Sequence, residues 1–303
     1  MDGLSAVLDQ IRLNSVIYFK SAFAPDWGMD VPEGPFAQFH IIAEGDCCFK
    51  CEGQESKKLT AGDILIFPNG TAHWLAHTLK AKKISGQEVV SSIQRGRSIF
   101  EGSHTATTLI CGHFEFDRSI EHPFLSSLPD IIHIKNIEET EFSWIMNIAN
   151  LLITETQSDS TGSKIIVQRL AEALFISALR FYIAQHHHQP FFAALYDQKI
   201  STTLQQIHAY PEKDWSVDNL SKEAGMSRTS FANHFRNKVG QTPMHYLTNW
   251  RMLIAQRILE ESEEPIAEVA GKIGYGSEQA FNRAFKKVVK QTPAKYRREL
   301  AAA

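Results

Sequence analysis

Cysteine is scarce in these 303 residues, with four thiols at positions 47, 48, 51 and 111, too few for a disulfide framework. Two other features are missing. No apolar run is long enough to cross a bilayer, and the N-terminal MDGLSAVLDQIRLNS lacks a basic start followed by an apolar stretch. Neither a membrane span nor a secretory leader is therefore expected, and the location implied is the cytoplasm. In that reducing compartment the thiols are expected as free thiols, ligands or redox sensors. Net positive charge is also lacking, since 31 Lys plus Arg face 34 Asp plus Glu, which taken alone argues against a nucleic-acid binder. The distribution reverses that inference. Residues 201–303 hold 15 Lys plus Arg against 11 Asp plus Glu, whereas residues 1–200 hold 16 against 23. The excess is modest, so any attraction for phosphate must come from local placement.

What is present is a composition of 43% hydrophobic and 21% charged residues, that of a soluble globular chain long enough for two domains. Its C-terminal third contains a duplication. SRTSFANHFRNKVGQTPMHY (227–246) aligns without a gap with SEQAFNRAFKKVVKQTPAKY (277–296). Each copy reads as a helix whose serine caps the first turn and whose apolar stripe, Phe231, Phe235 and Val239 or Phe281, Phe285 and Val289, faces a core. That leaves Arg228, Thr229, Ala232, Asn233 and Arg236 outward on the first helix, and Glu278, Gln279, Asn282, Arg283 and Lys286 outward on the second. Arg pairs bidentately with guanine, and Asn or Gln with adenine, so both faces can read base edges.

Upstream of each capped helix lies a shorter one ending in a glycine-bearing turn, with Gly225 in one copy and Gly274 and Gly276 in the other. Helix, tight turn and capped helix make a helix-turn-helix, predicted here at 216–239 and 265–289. Arg251, Lys286, Lys287, Lys290, Arg297 and Arg298 are the phosphate candidates.

The last hundred residues, and GYGSEQAFNRAFKKVVKQTPAKYRR (274–298) above all, resemble the DNA-binding domain of the AraC family of transcription regulators. The resemblance implies two helix-turn-helix units joined by a long helix, here 244–261, reading adjacent major grooves of promoter DNA. It also implies RNA polymerase as a partner in regulation. A rigid helix of about 15 residues spans roughly 20 Å, which suits two recognition helices placed near one turn of DNA.

Residues 16–118 differ in character. Short segments rich in Phe, Ile and Thr, such as FAQFHIIAE, CCFKCEG and DILIFPN, alternate with turn signals, the pattern of an all-β sandwich or barrel. GDILIFPNGTAH (62–73) is similar to the second motif of the cupin superfamily, with Gly62, Pro68, Gly70 and His73 in place, and Gly34 and His40 partly supply the first. Cys111-Gly112 and the SLP at 127–129 resemble one AraC-family branch with a cupin-type sensor. Where a metal-binding cupin has a second histidine, this chain has Ile42, with Asp46, Cys47 and Cys48 following.

Three readings of that domain stay open. His40, Cys47, His73 and Cys111 together make a soft N/S donor set suited to zinc or a related transition metal. The same residues can instead pack in a degenerate cupin that binds an organic ligand without metal. Alternatively, a partly exposed low-pKa thiolate among Cys47, Cys48, Cys51 and Cys111 acts as a redox switch.

The fold expected is α+β and multidomain: a cupin-like β-barrel of the double-stranded β-helix type (1–135), a helical region (136–190) and an all-α DNA-binding domain (191–303). Two helices are expected at about 138–156 and 163–186. The stripe Ile166, Leu170, Ala173, Leu174 and Phe181 either covers the barrel or forms a dimer seam, and the family resemblance favours a homodimer. Residues 188–200 read as a linker, and the histidines at 186–188 as a solvated helix end. The function expected is a non-enzymatic, one-component, sequence-specific transcription regulator responding to a small molecule, metal or oxidant. The alternative is a cupin metalloenzyme, a dioxygenase or isomerase, with an accessory DNA-binding domain.

Overall fold

The structure is a computed structural model that describes residues 2–97, 99–116, 122–135, 144–158 and 160–300. It divides into two compact units, one of Leu13–Phe116 with Leu128–Gln185, the other of Met1–Arg12, Asp117–Ser127 and His186–Ala303. Of the helical region expected at 136–190, the described residues from Trp144 to Gln185 thus belong with the barrel, while residues 2–12 belong with the unit that carries the repeat. Residues 138–143 of the first expected helix lie outside the described residues; from Trp144 to Glu155 it is helical. Among the described residues no helix is long and apolar enough to cross a membrane.

The barrel unit contains β1 (Asn14–Phe23), β2 (Gly28–Val31), β3 (Ala37–Cys51), β4 (Lys57–Thr60), β5 (Ile64–Phe67), β6 (His73–Ala76), β7 (Ile84–Ser85), β8 (Thr107–Glu115) and β9 (Ile132–Ile134). They form one curled, cupin-like sheet of nine strands, ordered β1-β8-β3-β6-β2-β7, with β4 and β5 also on β3 and β9 on β5. The two segments read separately as FAQFHIIAE and CCFKCEG are a single strand, β3. Its first half pairs with β5 and β8, its second half with β4 and β6.

An irregularity between Ile42 and Glu44 marks the change of partners. Such a bulge shifts which residues face inward. Before it Gln38, His40 and Ile42 point into the barrel; after it Cys47, Phe49 and Cys51 do. Gly45 follows at φ +76°, and a Cβ there would lie 2.0 Å from the Ala106 carbonyl oxygen, so only glycine fits. The apolar interior includes Phe19, Phe23, Trp27, Met29, Phe49, Phe67 and Leu75.

The sheet's outer face is covered by a helix. Phe39 stacks on Phe114 at 4.7 Å, and Phe114 meets Phe175 at 4.6 Å. Phe175 belongs to α5 (Ser163–Gln185), which follows α4 (Trp144–Glu155). Of the expected stripe on α5, Leu174 and Phe181 are buried, Leu170 and Ala173 half-buried and Ile166 47% exposed, and the buried face extends instead over Val167, Ala171, Phe175 and Ala178. Ile165 and the α4 residue Leu151 are exposed as well.

The second unit is helical. It comprises α1 (Gly3–Gln10), α3 (Pro123–Ser126), α6 (Phe192–Tyr196), α7 (Gln198–Ala209), α8 (Val217–Glu223), α9 (Arg228–Val239), α10 (Pro243–Glu261), α11 (Ile266–Lys272), α12 (Glu278–Val289) and α13 (Pro293–Leu300). The stretch expected as a linker, 188–200, is instead partly core: Phe191, Phe192 and Ala194 are fully buried. Their burial removes more apolar area from water than a solvated tether would tolerate.

A polar cluster sits in this core. His122 caps α3, its Nδ1 accepting from the Phe124 N–H at 3.1 Å. The ring proton must then be on Nε2, which donates to the Tyr246 hydroxyl at 3.2 Å. Tyr246 in turn donates to His208 Nε2 at 2.6 Å, and His208 stacks on Trp250 at 3.9 Å. Each hydrogen bond fixes the next, and both histidines are neutral.

Candidate nucleic-acid interface and sensor chamber

The sequence repeat is repeated in three dimensions. Ser227 accepts from the Ser230 N–H at 3.3 Å, and Ser277 from the Ala280 N–H at 3.2 Å. Phe231, Phe235, Phe281 and Phe285 are fully buried, while Val239 is buried and Val289 half-buried. Phe231 lies 5.7 Å from Phe235, and Phe281 lies 5.5 Å from Phe285. The two helices end differently. Gly240 takes the left-handed C-cap at φ +86°, whereas Lys290 holds the matching position at φ +67°, where a side chain is disfavoured.

With the phenylalanines turned inward, the opposite faces are open. Arg228, Thr229, Asn233, Arg236, Glu278, Gln279, Arg283, Lys286 and Lys287 are exposed, and Ala232 and Asn282 are half-buried. Few internal contacts occupy them. Arg228 forms a 3.5 Å pair with Asp218, worth little at such exposure, and Asn282 donates to Glu278 at 3.5 Å. His234 is fixed instead, bonded at 2.7 Å to Asp197, whose carboxylate also caps α7. That bond ties the first recognition helix to the helix opening the domain. α10 has 19 residues, or about 28 Å of rigid spacer between the two units.

One phosphate candidate is structural. Arg251 donates from Nε to the Pro211 carbonyl at 2.7 Å and from Nη2 to the Lys213 carbonyl at 2.8 Å, with its guanidinium over the Tyr275 ring at 5.5 Å. An arginine committed to two backbone carbonyls and a ring does not reach for phosphate. Lys290 and Arg298 are exposed, and Arg297 is half-buried, its Nε and Nη2 without partners.

In the barrel unit, three of the four expected donors meet as a hydrogen-bonded chain. His73 Nδ1 lies 2.7 Å from the Thr71 carbonyl, so it carries the ring proton, and His73 Nε2 is an acceptor. His40 Nε2 donates to it at 2.8 Å, leaving His40 Nδ1 to accept from the Cys111 thiol at 3.0 Å. Burial holds His73 down at a pKa of about 4 and, with the neighbouring His73, holds His40 well below its usual value. Burial also pushes the Cys111 thiol well up. The chain is neutral from end to end.

Cys47 is not part of it, being opposite Leu59; the residue across from His73 is Cys51. The donor types suit a soft divalent ion. Their lone pairs, however, are turned on one another, and among the described residues no three His, Cys, Asp or Glu side chains converge as metal ligands. The exposed low-pKa thiolate needed for a redox switch is not found at Cys47, Cys51 or Cys111, which are buried with their thiol pKa values raised. Cys48 alone of the four is half-buried.

Beside this chain lies a cavity of about 510 Å³, within the range of small-molecule sites. Tyr18, Phe19, Gln38, His40 and Cys111 line its floor, residues 32–36 its mouth, and Gln87, Val90 and Ser91 one wall. That wall is α2 (Gly86–Gln94), a helix absent from the sequence reading. The spacing of Val89, Val90 and Ile93 was its available signal.

A family profile described as Cupin matches residues 2–184, and one described as Helix-turn-helix domain matches residues 220–299. The chain is similar to the HTH-type transcriptional regulator AlkR of Acinetobacter baylyi, at 31% identity over 99% of this chain and 100% of that one. It is similar to the RCS-specific HTH-type transcriptional activator RclR of Escherichia coli, at 26% identity over 98% of this chain and 97% of that one. Among solved structures, the DNA-binding domain of AdpA, crystallised with a target DNA, is 33% identical over 35% of this chain and 95% of that one, with a TM-score of 0.33.

Proposed function

Since the chain belongs to the AraC-type helix-turn-helix transcription regulators with a cupin-like N-terminal domain, we propose that it is a one-component sensor whose barrel cavity holds the effector. DNA binding is the function of the C-terminal unit, and the relatives are transcription regulators rather than enzymes. We assign base reading to Arg228, Thr229, Ala232, Asn233 and Arg236 on α9 and to Glu278, Gln279, Asn282 and Arg283 on α12, with Lys286 and Lys287 placed for phosphate.

The observation that carries the reading is that the repeat buries the same phenylalanines twice and leaves polar forks outward both times. A signal in the barrel can change promoter occupancy only through unequal affinity for two arrangements of the DNA-binding unit. A homodimer would use the exposed Leu151, Ile165 and Ile166, and RNA polymerase would be the partner in activation or repression.

Selection of bound duplexes from random DNA by the full chain, followed by titration of the winner, tests the function. Enrichment of one sequence bound at least a thousandfold more tightly than scrambled DNA is expected. Equal affinity for both would leave only an architectural DNA binder.

A further inference from the structure

The two helix-turn-helix units meet at a second place besides α10. Arg251, near the middle of that helix, grips the loop between α7 and α8 on one side, through the Pro211 and Lys213 carbonyls at 2.7 and 2.8 Å. On its other side the guanidinium lies over the ring of Tyr275, in the turn between α11 and α12. Loop and turn also press on each other. Gly274 sits at φ +81°, and a Cβ there would lie 2.4 Å from the Glu212 carbonyl oxygen and 2.6 Å from Arg251 Nη2. Backbones this close leave one unit no room to shift against the other while the contact holds.

Each side of the contact leads to a recognition helix. The loop runs into α8, where Asn219 Nδ2 donates to the Asp214 carbonyl at 2.9 Å and Ser216 caps the helix, and α8 packs on α9. Tyr275 packs on Phe281 of α12, their ring centroids 5.8 Å apart. Arginine suits the place between them, because a planar fork can bond two carbonyls while its face meets a ring, which a point-like ammonium cannot.

We propose that Arg251 is a positioning residue for DNA recognition: by tying the α7–α8 loop to the Gly274–Tyr275 turn it fixes the angle between α9 and α12, and so restricts the chain to one spacing between the two DNA segments it reads. The proposal rests on the assignment of base reading to those two helices. α10 supplies the distance, and the clasp, added to the packing of each unit on α10, supplies the angle. The angle matters because each extra base pair turns the next segment by about 35° and moves it about 3.4 Å along the duplex.

To test this, the duplex selected by the full chain is rebuilt with one base pair inserted or removed between the segments under α9 and α12, which chemical interference maps on the wild-type complex. For the wild type either change should weaken binding about a hundredfold, the cost of misplacing the bases under one recognition helix. For Arg251→Ala the same changes should cost about tenfold or less. A general loss of stability weakens all three duplexes alike and leaves these ratios unchanged. Arg251→Lys keeps the charge but not the fork, so it should match Arg251→Ala. Tyr275→Leu keeps both carbonyl bonds and should give intermediate ratios; it carries the test if Arg251→Ala does not fold. Wild-type ratios in the folded variants would overturn the proposal. So would a salt slope lowered by about one in Arg251→Ala, which would put the side chain on a phosphate instead. Either result leaves base reading standing, whereas a wild-type chain that selects no sequence, or contacts one segment only, would overturn both.

Discussion

Lowering the pH from 7.5 to 5.0 should weaken the DNA-binding unit by about 4 kcal/mol through His122 and His208. Burial holds both at a pKa of about 3, with the neighbouring His208 ring adding to the effect on His122. The hydrogen bonds give the same answer independently. A proton on His122 Nδ1 would face the Phe124 N–H, and one on His208 Nε2 would face the Tyr246 hydroxyl proton. Once unfolded, each ring titrates at about 6.5. Between pH 3 and 6.5 the unfolded chain therefore binds more protons than the folded one. This contribution is fully present above 6.5 and is lost as the pH falls. A pH of 5.0 lies about 1.5 units below each ring's unfolded pKa, which costs about 2 kcal/mol per ring. Urea unfolding of the full chain, followed by far-UV circular dichroism at several pH values, measures the gradient. His40 and His73 in the barrel, also lowered by burial, add a gradient of the same sign, so the informative quantity is a difference. In the His122→Asn/His208→Gln variant the loss between pH 7.5 and 5.0 should shrink by about 4 kcal/mol. An unchanged gradient in that variant would falsify the neutral-pair account.

Further outcomes follow from single positions. Arg283→Ala should lose about 1–3 kcal/mol of discrimination between cognate and scrambled duplex, and equal weakening on both would remove it from base reading. Lys287→Ala should weaken binding to all sequences alike and lower the salt slope by about one; an unchanged slope would place it off the phosphates. Lys290→Gly relieves the left-handed cap that Gly240 occupies in the first copy, and thermal unfolding should show a gain of about 1 kcal/mol. A destabilised variant would mean that the lysine stem packs in a way that outweighs the strain. Elemental analysis of the purified chain tests the metal expectation: any zinc held there should depend on His40, His73 and Cys111 and be indifferent to Cys47→Ser, since Cys47 is outside the hydrogen-bonded chain.

The recognition helices were legible because their signals are local. A capping serine, phenylalanines four apart and a glycine turn each act within one or two helical turns, and a second copy in register removes the ambiguity of the first. The barrel was legible as a class but not in its interior. Nothing local says that the irregularity between Ile42 and Glu44 lies inside one strand rather than at a turn between two, and only the strand pairing shows that Cys51 rather than Cys47 lies across from His73. Arg251 was misread for a related reason. Its helix position resembles a phosphate contact, but its partners, the carbonyls of Pro211 and Lys213, lie about forty residues away and become visible only when α10 packs.

The chain's path between its two units bears on how a signal can travel. A single linker at 188–200 would require the sensor to act by ordering or loosening one tether. The described residues give a different connectivity. The chain passes from one unit to the other after Arg12, between β8 and α3, after Ser127 and after Gln185. Each passage is anchored on the DNA-binding side. Arg12 pairs with Glu260 at 2.5 Å and Glu261 at 2.9 Å on α10, His122 is locked to Tyr246, and Phe191 is fully buried. Glu260 also accepts from the Tyr296 hydroxyl on α13, so the Arg12 anchor extends to the second helix-turn-helix. β1 begins two residues after Arg12, and β8 and β9 flank the α3 segment in sequence. In the proposed sensor a signal therefore has more than one covalent route between the units, each ending on a residue held within the DNA-binding unit.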